Sequence, residues 1–433
     1  MTSTTSGRRS FIRAVSGSVA GAAALGELGR TRDAFCQGLG ALPEALGRAE
    51  FQALRDQYTL DPSVTYFNHG SIGTIPRLVQ EARRGYLSAC ETNPWLYMWG
   101  GEWEGPREET RVGAARMVGC KPEELAIIHN TTEGFNLLAS GLPLGPGDEV
   151  LFSSLNHPGA SICWEHQAPT RGFSVRRFEI PLEDVPRMSR ADVLDAYDRQ
   201  ITPKTRVLVF PDVDNMVGLR HPVQELTALA RRKGVEIVAV DGAQQLGMLP
   251  VDVHQTGVDF YVASPHKWLQ APKGLGLLYV RREIQPSLRP MWVTWGQQRW
   301  EGSARVFEDY GTRNLPEVLA LGDAIAFQEK LGEAAKERRY RDLWSHLRAR
   351  VGDSPQLEWL SPTSWDMASS LYSVRVRGRR SQEVFESLWP RHGFVFRAFG
   401  TPDFDGARLS LNAFNTHEEI DRFVEALAEE APA

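Results

Sequence analysis

Cysteine is scarce in this 433-residue chain: Cys36, Cys90, Cys120 and Cys163 are the full set, and none sits in a CxxC or comparable spacing. That pattern gives no support to a zinc site, no metal is expected, and disulfide pairing cannot be deduced from it. Also missing is any run of the roughly 20 apolar residues that a spanning helix needs, so no stable membrane association is expected. There is no long basic run and no basic patch interleaved with aromatics, and the formal net charge is only -5, which argues against nucleic acid as a partner. The glycine-rich "KGLGLLYV" lacks the GxGxxG spacing at a strand-to-helix turn, so dinucleotide binding is poorly supported. What is present is ordinary globular composition, 42% apolar and 24% charged, enough for one large domain and a smaller one. A small or anionic metabolite fits such a chain as ligand.

The first 30 residues are the compositional exception. "SGRRSFIRAVSGSVAGAAALGELG" presents Arg8 and Arg9, then Phe11 and Arg13, then a weakly apolar Ala/Gly/Val run. This order is that of a twin-arginine export signal, which implies the twin-arginine export machinery as a partner and a periplasmic or exported location. If the leader is not a signal, the protein is cytoplasmic. No clean small-x-small cleavage site marks the mature start.

Residues 31–75 read as an N-terminal arm, mostly helical over 31–60, before the motif "DPSVTYFNHGSIGTIP". From 76 to 315 the pattern alternates short apolar runs with helix-period stretches. "ELAIIHN", "DEVLFSS", "TRVLVFPDV", "VEIVAVDGA", "DFYVASPHK" and "LGLLYVRR" read as strands, and "HPVQELTALARRKG" as a helix stopped by its Lys-Gly ending. Such alternation predicts an α/β domain with a mainly parallel sheet covered on both faces. A long linking helix after residue 314 leads into a smaller C-terminal α+β domain, 316–433, where "SLYSVRVRG" and "ARLSLNAF" read as strands.

Ligands of parallel α/β sheets gather at the carboxyl ends of strands, and several such ends carry polar residues. "IIHNTTEGFN" puts Thr131 and Thr132 at a helix start, where hydroxyls and free N–H groups can cradle a phosphate or simply cap the helix. "FSSLNHPGA" supplies His157, "VAVDGAQQLG" supplies Asp241, and "YVASPHKW" supplies Ser264, His266 and Lys267. Asp241 and Lys267 could be a structural ion pair. The sharper reading is a pyridoxal 5'-phosphate site, with lysine as the Schiff-base residue, aspartate on the pyridine nitrogen and hydroxyls on the phosphate.

The series "VDGAQQLG…DVHQTGVDFYVASPHKW…KGLGLLYV" resembles the class V aminotransferase branch of the fold-type I pyridoxal-phosphate enzymes. "YFNHGSIGTIP" and "VFEDYGTRN" are most similar to the isopenicillin N epimerase side of that branch. The resemblance, over about residues 60 to 425, implies a seven-stranded-type large domain and assigns roles by position. Lys267 matches the Schiff-base lysine and proton shuttle, Asp241 the pyridine-nitrogen partner, Gln244 a donor to the phenolic oxygen, and His157 the imidazole over the ring. Thr131, Thr132, Ser264 and His266 match phosphate ligands. Gly311 and Thr312 match the segment that reaches the phosphate of the other subunit, which implies a homodimer. Arg408 matches the arginine for the substrate α-carboxylate; Arg397, Asn68 and His69 are further substrate-side candidates. The tryptophan-rich "NPWLYMWGGEW" and "MWVTWGQQRW" read as pocket wall and dimer surface.

One departure narrows the reaction. The segment that carries a sulfur-accepting cysteine in one desulfurase group reads "FRAFGTPDF" here, which disfavours a persulfide-forming desulfurase. Epimerisation, transaminase-type deamination and C–S or C–Se lysis stay open, on an amino acid or peptide-like substrate; a fold-retaining binding protein without catalysis is the remote alternative. Epimerisation needs a second acid, for which Tyr310 and Tyr97 are candidates.

Overall fold

The structure is a computed structural model that describes residues 48–401 and 404–432. The paired-arginine leader, Cys36 and the first part of the arm lie outside the described residues.

Seven strands form the large sheet: β2 (Leu125–Ile128), β3 (Glu149–Ser153), β4 (Ser174–Phe178), β5 (Thr205–Pro211), β6 (Ile237–Asp241), β7 (Phe260–Ala263) and β8 (Gly276–Val280). Their spatial order is β2-β8-β7-β6-β5-β3-β4, and only β8 runs antiparallel to its neighbours. Along β5, Leu208 and Phe210 enter one core while Val207 and Val209 enter the other. Both faces are therefore covered, which is why these strands read as unbroken apolar runs rather than alternating ones. β4 is the exception. Its sequence "SVRRF" sits at the sheet edge with Arg176 and Arg177 only partly covered, so it lacks the apolar signal that announced the other six.

The smaller sheet, in order β12-β13-β10-β9, comprises β9 (Leu357–Trp359), β10 (Leu371–Val376), β12 (Arg397–Gly400) and β13 (Asp405–Ser410), all antiparallel. Helices Ser381–His392 and His417–Glu429 flank it. The expected single linking helix is two, Leu315–Leu331 and Glu333–Gly352, broken at Gly332, whose φ of 77° ends a right-handed helix. The arm ties the parts together. Its strand β1 (Thr65–Tyr66) pairs in parallel with β11 (Phe394–Val395), and Gly73 N–H then donates to the His266 carbonyl at 2.8 Å. A Cβ at Gly73 would lie 2.1 Å from the Lys267 carbonyl oxygen, so only glycine lets the arm pass this close.

β2 is pinned by a buried charge. Glu308 accepts from the Ile127 N–H at 2.7 Å and is held by Arg111 through bonds of 2.6 and 2.8 Å. Burial raises the Glu308 pKa, but Arg111 and Arg313 outweigh it and hold the carboxyl down at about 2. Glu308→Gln leaves the buried Arg111 guanidinium with only the half-buried Glu108 carboxylate, at 3.1 Å from Nε, and is expected to cost about 3–5 kcal/mol, read by denaturant titration. A loss below about 1 kcal/mol would show the pair to be dispensable.

Candidate active site

The carboxyl ends of β2, β3, β5, β6 and β7 open into one cavity of about 420 Å³. Lys267 lies in the turn that follows β7, three residues past the polar Ser264 that leaves the strand, with its N–H bonded to the Ser264 carbonyl at 3.2 Å. Its ammonium forms no hydrogen bond or ion pair among the described residues. Burial lowers its pKa to about 8, partly offset by the Asp241 charge and reinforced by Arg408. A lysine so placed carries a neutral, nucleophilic fraction near neutral pH.

Asp241 closes β6, is buried, and accepts the Ala243 N–H on Oδ1 at 3.0 Å. Its other oxygen has no hydrogen-bond partner among the described residues, leaving an acceptor for a protonated ring nitrogen. Gln244 beside it is more committed: Nε2 donates to the Gly70 carbonyl and Oε1 accepts from Trp268 Nε1, both at 2.9 Å, so one amide hydrogen remains for a ligand.

At the far end, helix Thr131–Gly141 begins with its Asn130 cap accepting from the Glu133 N–H at 2.9 Å. Thr131 Oγ1 lies 2.6 Å from Ser264 Oγ, which joins the ends of β2 and β7. The Thr132 N–H, one of the unsatisfied donors of the first turn, has no partner among the described residues, and Thr132 lines the cavity. His266 lines it too, with a buried Nδ1 that has no hydrogen bond. Burial, with Lys267 and Lys273, lowers its pKa to about 4, so it is neutral. A phosphate would satisfy both orphan groups.

His157 caps helix Pro158–Arg171, and its Nδ1 accepts the Gly159 N–H at 3.0 Å. The imidazole proton therefore sits on Nε2. Packed protein lowers its pKa, as do Lys267 and Arg408. A Cβ at Gly159 would fall 2.7 Å from Thr132 Oγ1 and 3.0 Å from His157 Nδ1, so a side chain there would crowd this end of the cavity.

On the opposite wall, Arg408 of β13 is 2% exposed yet has no carboxylate partner among the described residues. Nη2 donates to Asn68 Oδ1 and Ser71 Oγ, both at 2.7 Å, and Nη1 to the Asn215 carbonyl at 2.9 Å, while Nε is unsatisfied. Burial pushes the guanidinium pKa down. Arg397 stands directly across from Arg408 in the β12–β13 register and lines the same cavity.

The structure places some expected residues elsewhere. Asn68 acts through Arg408 rather than on the cavity wall. His69 is fully buried among Tyr66, Trp268 and Phe414, its pKa pushed down to about 3 by burial and Lys273, so it does not line a substrate entrance. Tyr310 packs on His129 at 4.4 Å and Tyr97 on Trp103 at 4.8 Å, so neither proposed second acid borders the Lys267 cavity of its own chain. Gly311 and Thr312 instead line a separate cavity with Trp99, Trp103 and Trp295. Conversely, "FPDVDNMVG", at the end of β5, stands at a strand end like the others but yields no candidate from sequence. Asp214 in it accepts the Met216 and Val217 N–H groups at 2.8 Å, a turn that delivers the Asn215 carbonyl to Arg408. Ser71, next to Asn68 and His69, was missed for want of a strand end.

The aminotransferase class-V family model matches residues 65–423. Isopenicillin N epimerase of Streptomyces clavuligerus is 32% identical over 394 residues, covering 88% of this chain and 98% of that protein. A cysteine desulfurase of Klebsiella pneumoniae is 28% identical over 418 residues, covering 88% and 96%. Among solved structures, a C-DES mutant with glycine covalently linked to the PLP cofactor superposes with a TM-score of 0.78 at 24% identity, covering 87% of this chain and 99% of that one.

Proposed function

Because the chain belongs to the aminotransferase class-V family of pyridoxal-phosphate enzymes, we propose that it binds pyridoxal 5'-phosphate in the Lys267 cavity and acts at the amino-bearing carbon of an amino acid or peptide-like metabolite, with epimerisation as the reaction. The observation that carries this reading is a lysine on one cavity with an aspartate that has a spare acceptor and a buried arginine, the lysine ammonium without a partner and the arginine without a carboxylate among the described residues. Pyridoxal phosphate supplies an electron sink that acidifies the substrate Cα–H. Lys267 Nζ would take the Cα proton on its own face, and a proton returned to the opposite face, which inverts the centre, would come from a second acid, for which Tyr310 of a second copy, next to the Gly311 and Thr312 segment, is the candidate. Asp241 would keep the ring nitrogen protonated, and Thr131, Thr132, Ser264 and His266 would bind the phosphate. His157, which lines the same cavity, would supply the imidazole against the cofactor, and Arg408, with Arg397 nearby, would bind the substrate carboxylate and so orient the bond to be broken.

Cysteine chemistry has little support. Burial raises the thiol pKa of Cys90, of Cys120 and, to about 12, of Cys163, and none of the three lines the cavity. The same reading has the enzyme work as a homodimer. The exposed Trp95, Trp99, Trp292, Val293 and Trp295, two of them beside Gly311 and Thr312, suit a face covered by a second copy whose phosphate site that loop would complete. The leader suits export to the periplasm.

A screen of amino acids and short peptides in deuterated water tests the reaction. Deuterium at Cα with the amine retained and the stereocentre scrambled is expected. Formation of keto acid, pyruvate or sulfide would replace epimerisation by deamination or lysis.

A further inference from the structure

Behind Asp241 stands a carboxyl group that the reaction above does not use. Asp212 follows β5 and is 1% exposed. Its N–H donates to the Asp241 carbonyl at 3.1 Å, Oδ1 accepts from the Val213 N–H at 2.7 Å, and Oδ2 accepts from the Tyr261 hydroxyl at 2.7 Å. Tyr261, on β7, lays its ring on the residue after Asp241: a Cβ at Gly242 would fall 2.0 Å from Tyr261 Cζ. The ends of three adjacent strands, β5, β6 and β7, thus converge on one carboxyl–phenol bond.

On its far side lies a second cavity of about 230 Å³, lined by Asp212, Tyr261, His221, Gln245 and others, and distinct from the Lys267 cavity. Asp212 and Tyr261 form the wall between that space and Asp241. No arginine or lysine pairs with Asp212 among the described residues, and burial together with the Asp241 charge pushes its pKa up to about 8. A fully buried carboxyl without a cation is costly in a strand-end core, so a role in the site explains it better than packing does.

We propose that Asp212, held by Tyr261, is a positioning residue for the cofactor: it fixes the aim of Asp241 and thereby how firmly the ring nitrogen keeps its proton. The inference rests on the pyridoxal-phosphate reading. Asp212 takes the Val213 N–H on one oxygen and the Tyr261 hydroxyl on the other, whereas the amide of Asp212→Asn has an acceptor for only one of them and Tyr261→Phe removes the second donor. The ring of Tyr261 against Gly242 restricts the turn from which Asp241 projects.

The test compares wild type, Tyr261→Phe, Asp212→Asn and the double variant by pyridoxal-phosphate dissociation constant, pH midpoint of the bound chromophore and Tm. Each single variant is expected to weaken binding about tenfold and to raise the midpoint by about one pH unit. The direction follows because a ring nitrogen that loses its proton draws less electron density from the chromophore's basic nitrogen. The double variant should be no worse than the singles, since the two groups act as a unit. A purely structural pair would lower Tm with the midpoint unmoved, and that result overturns the proposal. Tyr261→Phe keeps the ring on Gly242 and decides the matter alone if Asp212→Asn does not fold. A wild type that binds pyridoxal phosphate alongside indistinguishable variants overturns this inference only; a wild type that takes up none overturns the functional reading with it.

Discussion

Lys267→Ala is expected to abolish the visible absorbance that pyridoxal phosphate gives the wild-type protein and to lower turnover by at least about 10³-fold, the loss of a positioned acid–base group together with the covalent tether. The protein should stay folded. The Lys267 ammonium makes no hydrogen bond among the described residues, so truncation loses none, and its depressed pKa means that the fold tolerates the ammonium rather than depends on it. The pH dependence of cofactor uptake follows from the same value. Only the neutral amine attacks a carbonyl, so the rate at which apo protein acquires the chromophore should rise about tenfold per pH unit up to pH 8 and level off above it. Stopped-flow absorbance on apo protein reads this directly. A chromophore that survives Lys267→Ala, or an uptake rate that falls as pH rises from 6 to 8, would remove the lysine from its assigned place.

The lysine side of the cavity is more legible in the sequence than the arginine side, for a physical reason. Asp241 ends, and His157, Thr131, Ser264 and Lys267 follow, strands buried on both faces, and such strands announce themselves as apolar runs with the polar residue at the end. The arginine side is assembled from segments far apart in sequence. Arg408, Asn68 and Ser71 meet only because the arm strand pairs with β11 and then continues as a bridge from Asn68 to Ser410. No local pattern encodes that meeting, so Ser71 and Asn215 carry no signal of their own, and His69, adjacent to Asn68, reads as a substrate-side candidate although it is fully buried. β4 was lost through its edge arginines, and the break at Gly332 was hidden inside an uninterrupted helical composition. Asp212 shows the remaining difficulty: its chemistry depends on Tyr261, 49 positions later and read only as strand core.

Arg408→Met is expected to reduce kcat/KM for carboxylate-bearing substrates by roughly 30- to 5,000-fold, the equivalent of about 2–5 kcal/mol for removing one member of a buried charge pair. Arg408→Lys should restore little, because a single ammonium cannot present the paired N–H groups of the fork or reach Asn68, Ser71 and Asn215 together. The decisive comparison uses the corresponding amine without its carboxylate. Wild type should discriminate against it by about the same factor that the substitution costs, and Arg408→Met should not discriminate at all. Stability provides an independent readout. The guanidinium is buried without a carboxylate and its charged form is disfavoured by burial, so its removal offsets the three hydrogen bonds lost and leaves Tm nearly unchanged. A large fall in Tm with carboxylate discrimination intact would make Arg408 a structural strut between arm and small sheet. A cation held at 2% exposure with no carboxylate partner among the described residues suits a site whose ligand brings the anion, and the loss of discrimination would identify that anion as the substrate carboxylate.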